Sequence, residues 1–474
     1  MSFSTTSPVA SPFADVLAPF CQAEGLPFAE ALTADDIAQA FAAEQVAFGQ
    51  AAHSFWTPAL TLWTFLSQVL DGNKSCRAAV GRAVVALALA RPLEDLDTGN
   101  YCRARAKLPA GVLRHLTLQV AQALEDGADA AWRWHGKQVH LVDAFTCTLP
   151  DTPTNQKAYP QPNTQKPGLG FPMLRVLVLL SLATAACQGL AFGPYQGKET
   201  GEPALFRQLV AQLTPSSVVV GDRIYCSYFE IAALQQGGVQ TVARLHQCRT
   251  SSFRRDGKPR GTDQRATWPK PEQPDWMDDA TYAAMPATLE VREIRKTITI
   301  PGFRVQQLHV ITTLLDASAY PEEEITDLYH QRWHVELDIR AIKATLKMDE
   351  LRCLTPFLVE KELWTHFLAY NLVRKVAAQA AALRGVCPRQ VSFAASQQAV
   401  VAAWSKLTEA TAADRRAMAE VLLRGLGKEK VGHRPNRCEP RQKKRRPKNL
   451  KLLTKPRVEA RAELLAGQAA ERAA

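Results

Sequence analysis

The sequence predicts a mixed α/β protein in which a helical region precedes a β-rich core. Three observations support this class: apolar residues at helical spacing before residue 135, short β-branched runs bounded by Pro and Gly after it, and a long amphipathic pattern near residue 330. Of the 474 residues, 46% are hydrophobic and 22% are charged, which is typical of a globular protein. A chain of this length is expected to form two to four domains.

Residues 1–135 are rich in Ala, Leu and Gln and are predicted to form an N-terminal helical domain. Strand and turn signals begin at "KQVHLVDAFTCTLPDT", where the first part of the mixed core, 136–246, opens. Its strands are predicted at 138–148, 173–182, 186–195 and 217–221, and its helices at 202–213 and 227–236.

A polar stretch rich in Pro and Gly comes next, followed by the alternating run "ATLEVREIRKTITI". Alternation is typical of antiparallel hairpins, so 247–305 is predicted to be a β-rich insertion. Residues 306–425 complete the core and continue as helices, including one long amphipathic helix over "YPEEEITDLYHQRWHVELDIRAIKATLKM". Residues 426–474 are predicted to be an extended basic tail.

Charge and hydropathy exclude some classes. The net charge is +11, and eleven Lys or Arg against one acid lie between Arg434 and Arg457. The apolar stretch "MLRVLVLLSLATAAC" is shorter than the roughly 18 residues of a membrane helix, which favours a buried core segment. Without a secretory signal pattern, a cytoplasmic protein with no membrane contact is expected. The ten Cys include no CxxC pair, so reduced thiols are expected rather than a zinc ribbon.

The stretch "YHQRWHVELDIRAIK", residues 329–343, concentrates chemically active side chains. At 100° per residue, one stripe contains five of them: Tyr329, Arg332, Trp333, Glu336 and Lys343. A carboxylate flanked by basic and aromatic side chains suits phosphate chemistry, in which the acid binds a metal and the others hold a nucleic-acid backbone. A solvated face with i,i+4 ion pairs is the alternative.

Two histidines in the same stretch, His330 and His334, are spaced as in a zinc protease helix. That motif requires Glu directly after the first His, where this chain has Gln331, and no third ligand points the same way. Both histidines are expected to point away from Glu336 and to be surface or packing residues.

One carboxylate cannot hold a hard divalent cation tightly, so Glu336 needs acidic partners. Asp143 lies inside the apolar strand "VHLVDAF", and Asp222 ends the apolar run "VVVGD". Ionised acids in such runs are costly unless they are paired or bound to metal, although a helix N-cap is an alternative role for Asp222. The three acids suit a two-metal site for phosphodiester cleavage and strand transfer.

With these residues in place, the chain resembles the DDE transposases of bacterial insertion sequences, in the family named for insertion sequence four. That family has a Tyr-x2-Arg-x3-Glu-x6-Lys signature, which Tyr329, Arg332, Glu336 and Lys343 match in type and spacing. The stretches "LPDTPTNQ", "CSYFEI" and "KRRPKNLKLLTKPR" are also similar to the family, so the resemblance spans about 70–460.

The resemblance implies a ribonuclease-H-like core interrupted by the β-rich insertion. It implies two Mg²⁺ ions, with Mn²⁺ as a substitute, held by Asp143, Asp222 and Glu336, and a water and then a DNA 3′-OH as nucleophiles. The DNA-binding residues are expected to be the basic and aromatic ones of the helix, a neighbour of the second Asp, and part of the tail: Tyr329, Arg332, Trp333, Lys343, Arg223, Lys443, Lys444, Arg445 and Arg446. A homodimer in a synaptic complex on double-stranded DNA, associated with the bacterial nucleoid, is also implied.

The expected function is therefore a DNA transposase that binds terminal inverted repeats, cleaves 3′ ends and joins them to target DNA. The chain departs from the family at Ala144-Phe145, where Gly-Thr is frequent, and at Ile224, where Gly is frequent. A catalytically inactive relative that only binds DNA is the alternative, and a nuclease without strand transfer is a third interpretation. Trp268 and Trp276 are candidates to stack a flipped base, with structural packing as the alternative.

Overall fold

A mixed eight-stranded sheet organises the fold in the structure, which is a computed structural model. The described residues are 34–49, 54–87, 97–249, 251, 253–255, 258–259, 261–297, 307–409, 412–431 and 452–473. The strands are β1 (Val139–Thr148), β2 (Met173–Ser181), β3 (Cys187–Pro194), β4 (Val218–Gly221), β5 (Gln240–Arg244), β6 (Arg254–Arg255), β7 (Lys258–Pro259), β8 (Asp263–Pro269), β9 (Thr288–Thr297) and β10 (Gln307–Thr312).

The sheet has the order β3-β2-β1-β4-β5-β10-β9-β8, while β6 and β7 form a separate pair. The pairs β3–β2 and β2–β1 are antiparallel, and the pairs β1–β4 and β4–β5 are parallel. From β5 onward, the pairs with β10, β9 and β8 are again antiparallel. The parallel register places Leu141 opposite Val220. Because Asp143 and Asp222 each lie two residues beyond this pair, both acids come next to each other on the carboxyl side of the parallel ladder, Asp143 within β1 and Asp222 directly after β4.

Helices cover the sheet and extend from it. They are α1 (Ala34–Ala43), α2 (Pro58–Leu70), α3 (Cys76–Leu87), α4 (Thr98–Lys107), α5 (Ala110–Asp126), α6 (Pro153–Ala158), α7 (Glu202–Val210), α8 (Tyr228–Gln236), α9 (Asp279–Ala284), α10 (Glu322–His330), α11 (Trp333–Arg340), α12 (Pro356–Ala382), α13 (Phe393–Glu409), α14 (Ala412–Leu426) and α15 (Arg457–Ala473). Short 3-10 turns lie at Ala130–Trp132, Arg223–Tyr225 and Pro388–Gln390, and a π-helical turn at Ala341–Thr345.

Apolar residues on the two faces of the sheet enter different cores. On one face, Leu141 of β1 shares a core with Trp63 of α2 and Phe367 of α12. On the other face, Val142 packs with Phe206 of α7. The N-terminal helices therefore share a core with the sheet, and the domain boundary at residue 135 stays a prediction.

Strand β2 lies in the middle of the antiparallel part and is apolar on both faces. Its residues from Val176 to Leu180 are essentially inaccessible, which confirms that the long apolar stretch is core. No helix among the described residues is long and apolar enough to cross a membrane.

Strands β8 and β9, from the predicted insertion, extend the central sheet beyond β10. The insertion also packs on α8, and the two tryptophans that were candidates for base stacking lie in that contact. Trp268 is buried and its indole N–H donates to Glu293 at 3.2 Å, while Trp276 lies edge-on to Phe229. In this structure both indoles pack against neighbouring side chains, which was the alternative to stacking on a flipped base.

The prediction of one continuous helix through residue 330 is wrong, because the chain breaks between α10 and α11. The N–H of Arg332 donates to the carbonyl of Tyr329 at 3.0 Å, and that of Val335 to Arg332 at 3.0 Å. These bonds span three residues, so the turn tightens towards 3-10 geometry and rotates the chain by more than 100° per residue. The stripe counted at constant rotation is therefore not continuous across this turn.

The expectation of an extended tail is wrong for its last part. Residues Arg457–Ala473 form α15, because the stretch is rich in Ala, Glu, Leu and Arg, which favour helix, and follows Pro456. The basic residues Lys443, Lys444, Arg445 and Arg446 lie outside the described residues.

Candidate active site

Two aspartates lie just beyond the parallel ladder that joins β1 and β4, Asp143 inside β1 and Asp222 directly after β4. The carboxylate of Asp143 is partly buried and accepts the N–H of Ala144 at 2.8 Å. The carboxylate of Asp222 accepts the N–H of Ile224 at 2.8 Å and so caps the following 3-10 turn. Asp222 therefore has the capping role that was its alternative, and that cap uses Oδ1, so Oδ2 can still bind a ligand.

A buried tyrosine fixes the loop that carries Asp222. Tyr225 is 1% exposed and packs edge-on against Phe206. A Cβ atom at Gly221 would approach both the Tyr225 ring and Val142 to 2.9 Å, so only Gly allows this packing. The strand end, the turn and the position of Asp222 are therefore set together.

Burial dominates the protonation of Asp143. It raises the pKa of this carboxyl to about 6, against the opposing effects of the Ala144 N–H and of Arg332, while Asp222 and Glu202 raise it further. Because burial disfavours the ionised carboxylate, a cation bound nearby would stabilise it strongly.

Arg332 provides part of that charge and connects the first acid to the third. Its guanidinium lies 2.7 Å from Glu336 and 3.8 Å from Asp143. All three side chains keep some solvent access, with 19% exposure for Arg332, 37% for Glu336 and 23% for Asp143. The structure thus brings Glu336 towards Asp143 with an arginine between them.

The predicted metal ligands do not form a closed ligand set in this conformation. Among the residues that the structure describes, no three His, Cys, Asp or Glu side chains lie close enough together to hold a metal ion. The donors nevertheless suit one, since hard divalent cations prefer carboxylate oxygens and a cationic group already bridges two of them. The chemistry of these donors therefore suits a divalent metal, and the Arg332 guanidinium occupies the space between two of them.

The predicted DNA-binding residues of this region have different surroundings. Tyr329 is 9% exposed, next to Arg332, whereas Trp333 is 58% exposed. Lys343 lies with its Nζ 5.8 Å from the ring of Phe145, one pleat along β1 from Asp143. Arg223 donates to Gln247 at 2.9 Å.

The two histidines have partners outside the acid group. His330 is exposed, with its ring 3.8 Å from Asp327. His334 contacts the side chain of Gln331 at 2.8 Å and lines a separate cavity together with Trp134 and Arg389.

Sequence reasoning missed Glu202, the first residue of α7. Its carboxylate accepts the Tyr225 hydroxyl at 3.3 Å. Burial raises the pKa of Glu202, Arg175 and Tyr225 oppose this, and Asp222 adds to it. Glu202 in turn raises the pKa of Asp143, so the residue lies near both aspartates. No local signal marks it, because Glu is common in the first turn of any helix.

Lys74, in the loop before α3, was also missed. Its ammonium is buried, donates to the carbonyl of Leu346 at the end of the π-helical turn, and lies 2.9 Å from Nε2 of His366. Burial lowers the pKa of Lys74 to about 8. This contact ties the N-terminal helices to the segment that carries Lys343.

Comparison with known proteins shows the class to which this sheet and its neighbouring acids belong. The family model described as "Transposase DDE domain" matches residues 134–372, just over half of the chain. The transposase InsG for insertion sequence element IS4 of Escherichia coli (strain K12) is 27% identical over 346 residues, which are 71% of this chain and 74% of that protein.

The chain belongs to the DDE transposases, in the insertion-sequence-four family, which confirms the resemblance. Members of this family carry out transposition, use divalent metal ions and act on DNA. A solved structure of the piggyBac transposase synaptic complex with hairpin DNA matches with a TM-score of 0.41 and 9% identity, over 90% of this chain and 88% of that chain.

Proposed function

We propose that this protein binds the terminal inverted repeats of its own insertion sequence, cleaves the 3′ ends and transfers them into target DNA. The observation that carries the proposal is the placement of Asp143 and Asp222 in neighbouring positions on the carboxyl side of the parallel β1–β4 ladder, with Glu336 linked to Asp143 through Arg332. In mixed sheets, ligands gather at such carboxyl edges.

A ribonuclease-H-like core with an insertion is supported by how the sheet is built. Strands β1 to β5 follow one another within 136–246, and the insertion at 247–305 adds β8 and β9 at the far edge through β10. The acids lie on the first part of the core and on α11, so the insertion extends the sheet away from them.

Asp143, Asp222 and Glu336 would hold Mg²⁺, or Mn²⁺ in its place, as a pair of ions. Two bound ions supply an activated nucleophile and stabilise the leaving oxygen in an in-line displacement at phosphorus. The chain itself holds the two aspartates rigidly, by the Ala144 N–H and by the capped turn after Asp222. Glu336 is the adjustable member, because its partner is a partly exposed arginine.

Arg332, Lys343, Arg223 and Trp333 would contact the phosphate backbone near the cleaved end. The Nζ of Lys343 lies 5.8 Å from the ring of Phe145, two residues along β1 from Asp143, and Trp333 presents an exposed aromatic face. Arg332 would move from the carboxylates to a phosphate, which accepts a guanidinium in the same two-pronged way. Tyr329, being mostly buried, would act through its contact with Arg332.

The tail residues Lys443, Lys444, Arg445 and Arg446 would neutralise further phosphates without reading sequence, giving strongly salt-dependent binding. Residues 1–135 would read the element ends, since base contacts rather than phosphate contacts provide specificity. The active form would be a homodimer that holds two ends in a synaptic complex at the bacterial nucleoid.

The test is cleavage of a duplex carrying the terminal repeat that flanks the gene, in Mg²⁺, by the wild type and by Asp143→Asn, Asp222→Asn and Glu336→Gln. We expect nicking at the 3′ end by the wild type alone, and binding by all four proteins. A wild type that binds the ends and never nicks them would instead support the inactive relative. A variant that cleaves as well as the wild type would remove that residue from the acid set.

A further inference from the structure

We propose that Cys76 and Cys102 are a redox-active pair that hydrogen peroxide converts into a disulfide joining α3 to α4. The two sulfur atoms lie 3.9 Å apart, and the Cys102 thiol points its hydrogen at Cys76. Both residues are only partly buried, so a small oxidant can reach them. A disulfide requires the sulfurs to close to roughly 2.05 Å, a short movement for two helices already in contact.

The surroundings of Cys76 activate its sulfur as a nucleophile. The residue begins α3, where the unpaired backbone N–H groups favour negative charge. The amide of Gln68 donates to its sulfur at 3.7 Å, and Arg105, also bonded to Gln68, adds positive charge. The Cys102 hydrogen bond, with Arg105 and Gln68, outweighs burial and lowers the pKa of Cys76 to about 6.

Oxidation of this pair balances with one peroxide. The Cys76 thiolate attacks a peroxide oxygen, so that an S–O bond forms, the O–O bond breaks and hydroxide leaves to become water with the proton that the thiol gave up. Cys102 then attacks the sulfur of the resulting sulfenic acid. An S–S bond forms, the S–O bond breaks, and the departing hydroxide takes the Cys102 proton as the second water.

The pair is connected to the segment that carries Lys343. Gln68, which donates to Cys76, also donates to the carbonyl of Lys74 at 2.8 Å. Lys74 in turn donates to Leu346, directly after the π-helical turn. Formation of the disulfide removes the Cys76 thiolate that Gln68 contacts, and so disturbs the contacts that lead through Lys74 to the Lys343 segment. Oxidation should therefore slow DNA cleavage, a consequence that rests on the proposed function.

The experiment exposes reduced full-length protein to hydrogen peroxide at pH 7, blocks remaining thiols with N-ethylmaleimide and maps tryptic peptides by mass spectrometry. We expect residues 75–77 linked to residues 83–103, and loss of that species with dithiothreitol. Cys102→Ser should abolish the linked peptide, and Cys248→Ser, which removes an exposed thiol, should leave it unchanged. A Cys76 that stays reduced, or that pairs with Cys353 instead, would overturn the proposal.

Cleavage of a terminal-repeat duplex by the same samples tests the connection. Oxidised wild type should cleave roughly tenfold more slowly, as expected for disturbing one charge-assisted contact to phosphate, and should recover with dithiothreitol. The Cys102→Ser protein should keep its rate through the peroxide treatment. Equal cleavage rates before and after oxidation would refute the effect of the disulfide on cleavage and leave the disulfide itself standing. If the reduced wild type does not cleave, the proposed function fails, and the linked peptide still tests the disulfide.

Discussion

Helix α11 carries two carboxylates, two residues apart, that meet opposite surroundings. Asp338 is 3% exposed and lies between Arg374 at 2.6 Å and Arg389 at 2.7 Å. Glu336 is 37% exposed and is paired with Arg332, whose side chain is 19% exposed. The Asp338 carboxylate is buried and paired on both oxygens, so its role is structural. The Glu336 carboxylate is partly exposed and can exchange its arginine partner for a ligand.

The difference shows that burial and the number of partners separate a structural acid from a functional one. In the sequence "HVELDIR" both acids look alike, and each stands in a charge-rich helix. A buried ion pair fixes geometry at a high desolvation cost, and an exposed one costs little to break. Four changes test this contrast.

Asp338→Asn should have the largest effect on stability. It leaves the Arg374 and Arg389 charges buried without a counter-charge, which should lower the free energy of unfolding by about 3–5 kcal/mol. Urea denaturation followed by circular dichroism measures the change. Glu336→Gln is the matched variant and should change it by less than about 1 kcal/mol. Equal losses in the two variants would remove the contrast.

Glu336→Gln should have the largest effect on activity. Since supporting residues of metal sites already cost 10–100-fold, loss of a proposed ligand should reduce cleavage of the terminal-repeat duplex by more than about 100-fold. Gel quantification of nicked product measures the rate, and a mobility shift checks that DNA binding persists. Glu323→Gln, at an exposed acid of α10, is the control and should cleave like the wild type.

Strand β1 repeats the contrast with His140, which is 4% exposed, and Asp143, whose side chain is 23% exposed. Burial lowers the pKa of His140 to about 4 from its ordinary 6.5. Between these values the unfolded chain binds a proton that the folded chain excludes, so stability falls as pH falls, by about 2 kcal/mol at pH 5.

His140→Gln should therefore shrink the loss of unfolding free energy between pH 7 and pH 5 by about that 2 kcal/mol. Urea titrations at the two pH values measure it, with His115→Gln at an exposed position of α5 as the control. If both variants keep the full pH dependence of the wild type, His140 is not its source.

Arg332→Ala should have the smallest effect. A cation between Asp143 and Glu336 must displace this guanidinium, so its removal should tighten Mn²⁺ binding without DNA about twofold to fivefold, the equivalent of one partly exposed ion pair. Paramagnetic resonance of free Mn²⁺ measures the affinity. Arg332→Lys, which keeps the charge, should stay near the wild type; weaker binding by Arg332→Ala would show that the arginine supports the ion instead.

Much of the sheet could be predicted from the sequence. The predicted strand at 138–148 corresponds to Val139–Thr148, and that at 217–221 to Val218–Gly221, because β-branched runs end sharply at turn residues. Asp143 and Asp222 could be identified as candidates because each is an acid within or directly after an apolar strand.

The rest depends on contacts that leave no local trace. The tightened turn at Gln331 and Arg332 contains no Pro or Gly to announce it. Asp338 is sealed by Arg374 and Arg389, which lie 36 and 51 residues further along the chain. The partners of Lys74 are more distant still, so only the packed fold shows that these residues are structural.

The most direct measurement is the anomalous scattering of Mn²⁺ in crystals of the protein with a terminal-repeat duplex. We expect density for two ions between Asp143, Asp222 and Glu336, with Arg332 turned to a DNA phosphate. Ions bound elsewhere, or Arg332 still bridging Asp143 and Glu336 in the presence of metal and DNA, would contradict it.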